Sequence, residues 1–141
     1  MIISQTEKLY RIIVLAVFSL AITSCQTGPA EITSFSVQST ENISVLMPRM
    51  AQLAGQCFTG KGKPFTRYRV SSELNSLSGQ PRLLLVSRDD VQGLPALVIL
   101  GEAESDGTKL SVFGRLLGSD AGGRTIDSNV RNWADGGTGC A

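Results

Sequence analysis

Four cations and two aromatic residues crowd into nine positions, "KGKPFTRYR" from Lys61 to Arg69, in a chain whose formal net charge is only +1. Strand alternation after Pro64 would place Arg67 and Arg69 on one face, with Lys61 and Lys63 in the glycine-containing loop before them. Guanidinium forks and ammonium groups in that arrangement suit phosphates and carboxylates. The segment therefore predicts a patch for an anionic ligand or partner at Lys61, Lys63, Phe65, Arg67, Tyr68 and Arg69. The plainer use of such residues is a solvated sheet edge guarded against aggregation.

Other chemistries fare worse. The stretch "GQCFTGKG", Gly55 to Gly62, comes close to a phosphate-binding loop. Gly62, however, stands where a magnesium-binding hydroxyl is needed, and a helix is predicted before the stretch where a strand is required. The chain has no histidine, which removes the commonest general base and the commonest metal ligand. Asp89 and Asp90 fall in a turn beside Arg88, where aspartate is favoured for backbone reasons. Glu102 and Glu104 share a strand face with carboxyls about 6–7 Å apart by strand geometry, superficially suited to glycoside hydrolysis. Lys109 is expected to oppose Glu104, and no cleft is indicated. Serines lack a nucleophile elbow. No catalytic residue, cofactor or metal site is assigned, and the protein is read as non-enzymatic.

Three cysteines remain. Cys57 and Cys140 are too far apart in sequence for a redox motif and too few for a metal site. They are expected to form a structural disulfide, which closes a loop of roughly 80 residues and contributes about 4 kcal/mol in the chain-entropy model. Cys25 is different. Lys8 and Arg11 precede an apolar or small-residue run from Ile12 to Ile22, the charge pattern and length of an export signal. Its eleven residues span only about 16 Å as a helix, half of a bilayer core. The run ends Ile22-Thr23-Ser24-Cys25, which resembles the lipobox of bacterial lipoproteins. The resemblance covers the first 26 residues. It implies a thioether from Cys25 to diacylglycerol, cleavage between Ser24 and Cys25, and acylation of the new amine with a fatty acid such as palmitate. Two or three acyl chains make such an anchor effectively permanent. Because Gln26 follows the cysteine, where aspartate favours inner-membrane retention in that family, the resemblance implies the outer membrane, on its periplasmic side.

The expected organisation is a signal peptide over 1–24, the lipidated cysteine and a flexible tether over 25–41, and a periplasmic domain over 42–141. The tether is polar, although Ile32, Phe35 and Val37 could hide an edge strand. Residues 25–141 carry equal numbers of cations and carboxylates, which argues against nucleic-acid binding.

The elements that must hold the patch follow from periodicity. Apolar residues at 43, 46, 47, 50, 53, 54 and 57 predict a helix, with Ser44 as its cap and Pro48 tolerated only in the first turn. The Met47, Met50 and Leu53 stripe is expected in the core. "TRYRVSSEL", "PRLLLVSRDD" and the runs around Asp106-Gly107 predict four antiparallel strands. The last two form a hairpin whose register sets Ser105 against Thr108. "GSDAGGR", Gly118 to Arg124, reads as a flexible loop. A final helix then places Ile126, Val130, Trp133 and Ala134 on one face and stops at Gly136. The expected fold is α+β: a helix, a four-stranded meander and a C-terminal helix, locked by one disulfide. The expected function is a binding or assembly role in the cell envelope, through an envelope protein or an anionic envelope component. The alternative is a periplasmic inhibitor of wall-degrading enzymes such as lysozyme. Such an inhibitor needs an acidic loop, either Ser87 to Asp90 or Glu102 to Asp106.

Overall fold

The computed structural model describes residues 34–75 and 77–141. The expected signal peptide, Cys25 and the first part of the tether lie outside the described residues. In chain order the elements are β1 (Ser34–Ser39), α1 (Ile43–Ala54), β2 (Tyr68–Glu73), β3 (Arg82–Ser87), β4 (Leu97–Glu104), β5 (Gly107–Phe113) and α2 (Asp120–Ala134). The fold is α+β, as expected, but the sheet has five strands in the order β1-β5-β4-β3-β2, all neighbours antiparallel.

The extra strand corrects the tether. "SFSVQS" pairs with β5 along its whole length, from Ser34 opposite Phe113 to Ser39 opposite Thr108. Its two apolar side chains, Phe35 and Val37, pack against the core. The serines between them carry little strand signal, so the segment reads as linker until its partner is known. Residues 34–39 belong to the domain.

Both helices cover one face of the sheet. Leu46, Met47, Met50 and Leu53 of α1 and Ile126, Val130 and Trp133 of α2 meet Leu83, Leu85, Leu97, Ile99, Leu110 and Val112 in one buried cluster. Phe58, in a wide turn over Gly55–Thr59 after α1, stacks at 5.1 Å from Trp133. The cap of α1 is Asn42, whose side chain accepts from the Ser44 amide at 2.9 Å; Ser44 is not the cap. Pro48 falls in the second turn, beyond the position expected for it. It leaves the Ser44 carbonyl without its helical donor, at low cost because Ser44 and Pro48 both lie on the exposed face.

The hairpin also differs from expectation. Glu104 opposes Gly107 and Glu102 opposes Lys109, so the turn is Ser105-Asp106 and the register is shifted by two. A shift of two preserves every side chain's face, and Leu97, Ile99, Leu110 and Val112 are buried as the pattern required. Gly107 enters β5 at φ +147°, and a Cβ there would lie 2.0 Å from the Ser39 carbonyl oxygen. The close approach of β1 therefore demands glycine at that position.

The C-terminal helix begins earlier than expected. Ser119 caps it by accepting from the Gly122 amide, so Asp120 to Arg124 are helical and not a flexible loop. After α2 the chain doubles back: Trp133 Nε1 donates to the Gly139 carbonyl at 2.8 Å, and the Ala141 amide donates to Asn129 Oδ1 at 2.9 Å. This return brings Cys140 to Cys57, with Cα atoms 5.4 Å apart, and the disulfide joins residues 83 apart in sequence.

Candidate functional site

Antiparallel pairing sorts the loops by end. β1, β2 and β4 begin, and β3 and β5 finish, at one end of the sheet. The loop from Gly60 to Arg67 feeds β2 at that end, and α2 starts there after a short turn at Arg115–Gly118.

Lys61, Lys63, Arg67 and Arg69 are all exposed, as a binding patch requires. The aromatic residues between them turn the other way. Phe65 is buried, edge-on to Phe58 at 5.7 Å, and Tyr68 packs against the core. This corrects the patch as read from the sequence: Phe65 holds the loop down by its packing, and the cations are left at the surface without an aromatic platform.

Three more cations join them from distant segments. The Arg88 amide donates to the Arg67 carbonyl at 2.9 Å, and the Arg88 Nε donates to the Thr66 carbonyl at 3.1 Å, which sets Arg88 beside the patch. Arg115 follows β5 at the same end, and Arg124 lies near the start of α2, both exposed. Among the described residues this end thus gathers seven cations against three carboxylates, Asp89, Asp90 and Asp120. None of the seven is in an ion pair among the described residues. Apolar side chains are exposed there too: Val91 at 51% and Leu94 at 89% in the β3–β4 loop, and Phe113 at 42% at the end of β5. Only the pairing of strands reveals this grouping, so the sequence pattern around residues 61–69 could not supply it.

The opposite end is acidic and closed. Glu102 pairs with Lys109 at 3.8 Å, and Glu73 pairs with Arg82 at 2.5 Å. Glu104 is exposed and lies opposite Gly107, not Lys109. A concavity of about 340 Å³ between β1, α1 and the end of α2 has Arg49 in its wall. That guanidinium is already engaged: it donates to the carbonyls of Gly137 at 2.9 Å and Trp133 at 3.0 Å and pairs with Glu41. Arg49 thereby satisfies carbonyls at the C-terminus of α2, a structural role the helical periodicity did not announce. Ser39 Oγ donates to the Ala134 carbonyl and Thr108 Oγ1 to the Glu41 carbonyl, which completes the lock.

No family model, curated protein or solved structure matches this chain. The candidate site therefore stands on its own geometry. Among the described residues no helix is long and apolar enough to cross a membrane, and no three His, Cys, Asp or Glu side chains are grouped to hold a metal. Exposed cations recognise anions by charge and hydrogen bonding.

Proposed function

We propose that this protein is an outer-membrane lipoprotein, anchored through Cys25, with a non-enzymatic binding or assembly role in the cell envelope. Its domain engages an anionic envelope component through the cationic end. The observation that carries the reading is the collection of seven exposed cations, none in an ion pair among the described residues, at one end of a domain whose remainder is net negative. The Cys57–Cys140 disulfide suits an oxidising compartment, and an anchor raises the local concentration of a binding module.

The anchor is tested by fractionation and by the mass of the mature N-terminus. A diacylglyceryl Cys25, lost together with membrane attachment in Cys25→Ala, is expected. An unmodified Cys25 in the mature protein would end the lipoprotein reading. The binding role is tested by photo-crosslinking in cells from the exposed positions 66, 91 and 94 of the same end. Adducts should vanish when Lys61, Lys63, Arg67 and Arg69 become Gln.

A second reading, inhibition of wall-degrading enzymes, has one observation in its favour. Glu104 and Asp106 are exposed at the hairpin tip and make no ion pair among the described residues. The other acidic stretch, Ser87 to Asp90, is interrupted by Arg88 within the cationic end and suits a basic enzyme less well. Assay against a basic lysozyme decides: activity unchanged at molar excess of this protein removes the inhibitor reading.

A further inference from the structure

We infer that the anionic component is the phospholipid surface itself: the cationic end of the domain seats on the anionic headgroups of the leaflet that holds the anchor. The inference deepens the anchored reading above and depends on it only for orientation. Three observations converge on it.

The first is charge. Seven cations against three carboxylates leave this end net positive by four, while the rest of the described chain is net negative. A cluster of this kind is drawn to an anionic bilayer surface within a Debye length.

The second is apolar exposure. Leu77, Val45, Val91, Leu94 and Phe113 are the large apolar side chains exposed among the described residues. Val91, Leu94 and Phe113 belong to the cationic end. Cations around protruding apolar side chains form the footprint of a peripheral membrane surface, in which the apolar groups enter the headgroup boundary.

The third is the point of chain entry. Ser34 opens β1 directly opposite Phe113, so the chain arrives at the cationic end. Eight residues separate Ser34 from Cys25, and nine peptide steps reach at most about 30 Å. β4, with its eight residues, is about 27 Å long by strand geometry. Turning the acidic hairpin toward the membrane would use nearly all of that reach, whereas seating the cationic end uses little of it.

The test separates surface from anchor. All five strands, both helices and the disulfide lie in the described residues, which belong to one compact unit, so residues 26–141 can be used without the lipid. In low salt this soluble chain should co-sediment with vesicles of equal parts phosphatidylglycerol and phosphatidylcholine, and not with phosphatidylcholine alone. Replacing Lys61, Lys63, Arg67 and Arg69 by Gln should weaken binding roughly a thousandfold. Val91→Ser with Leu94→Ser should weaken it by a smaller factor and leave its salt dependence intact. Equal binding to both vesicle types, or binding unchanged by the four Gln substitutions, would overturn the inference. In the anchored protein, a photo-crosslinker at position 63 should capture lipid and one at position 106 should not. A protein adduct at 63 in place of lipid would overturn the inference and give the surface to an acidic partner. Because the vesicle assay lacks the anchor, it can succeed even if Cys25 proves unmodified.

Discussion

At the end of the sheet where β4 turns into β5, cations are held by partners: Arg82 by Glu73, Lys109 by Glu102, and Arg49 by Glu41 and two helix carbonyls. At the end where β1 begins, seven cations stand in water and none forms an ion pair among the described residues. The two ends use the same side-chain types, and the difference lies in what the backbone offers them. β1, α1 and the C-terminus of α2 converge at the closed end, where a guanidinium meets the Gly137 carbonyl and the Trp133 carbonyl, which also accepts from the Gly136 amide. At the open end the helix start is capped by Ser119 and the loop is held by Phe65, and of the seven cations only Arg88, which donates to the Thr66 carbonyl, has a side-chain hydrogen bond to the backbone among the described residues. Charge at the closed end therefore holds structure, and charge at the open end is available for binding.

The largest effect expected is loss of the disulfide. Its removal in Cys57→Ala with Cys140→Ser should lower stability by about 4 kcal/mol. The returning tail that presents Gly137 to Arg49 would then be released, so hydrogen exchange should rise first at the C-terminus of α2 and not at the Lys61 loop. Denaturant titration measures the first effect, and uniform exchange across both ends would break the distinction. Next, Gly107→Ala should cost roughly 3 kcal/mol, because its Cβ would meet the Ser39 backbone at a positive φ. That loss should fall on the closed end, read as faster exchange in β1. Arg49→Gln should cost about 2 kcal/mol by freeing the Gly137 carbonyl and Glu41 and removing one of the two donors to the Trp133 carbonyl. An unchanged midpoint would mean that water replaces the guanidinium without penalty.

The closed end was largely illegible in the sequence for a physical reason. Arg49 lies on a helix whose periodicity reports apolar positions only, and its partners Trp133 and Gly137 are more than 80 residues away. β1 was only half legible: Phe35 and Val37 marked a hidden edge strand there, but its serines match a linker equally well. Gly122 and Gly123 made the start of α2 look like a loop, since glycine lowers helix propensity. The structure shows why they stand there: a Cβ at Gly123 would lie 2.6 Å from the Leu117 carbonyl oxygen. What did carry through was face assignment. The Leu97–Ile99 and Leu110–Val112 positions alternate strictly, and the hairpin's two-residue register shift could not disturb them. The four cations of residues 61–69 were legible because they are local. Arg88, Arg115 and Arg124 reach them only through the antiparallel pairing.

The smallest stability effect should come from the largest change in charge. Substituting Lys61, Lys63, Arg67 and Arg69 by Gln removes four charges, yet exposed groups without partners contribute little to folding, and the expected change is within about 0.5 kcal/mol. Its sign should be slightly stabilising at low salt, because like charges gathered at one end repel each other in the folded state. Added salt screens that repulsion, so the native protein should gain stability between low salt and about 0.5 M salt while the four-Gln variant gains less. Paired measurements of the urea midpoint at both salt concentrations read this directly. A loss above about 1 kcal/mol in the variant would mean that these cations hold structure as Arg49 does, and the contrast between the two ends would fail. A neutral result beside a costly Arg49→Gln would establish that one end is built for stability and the other kept free for contact.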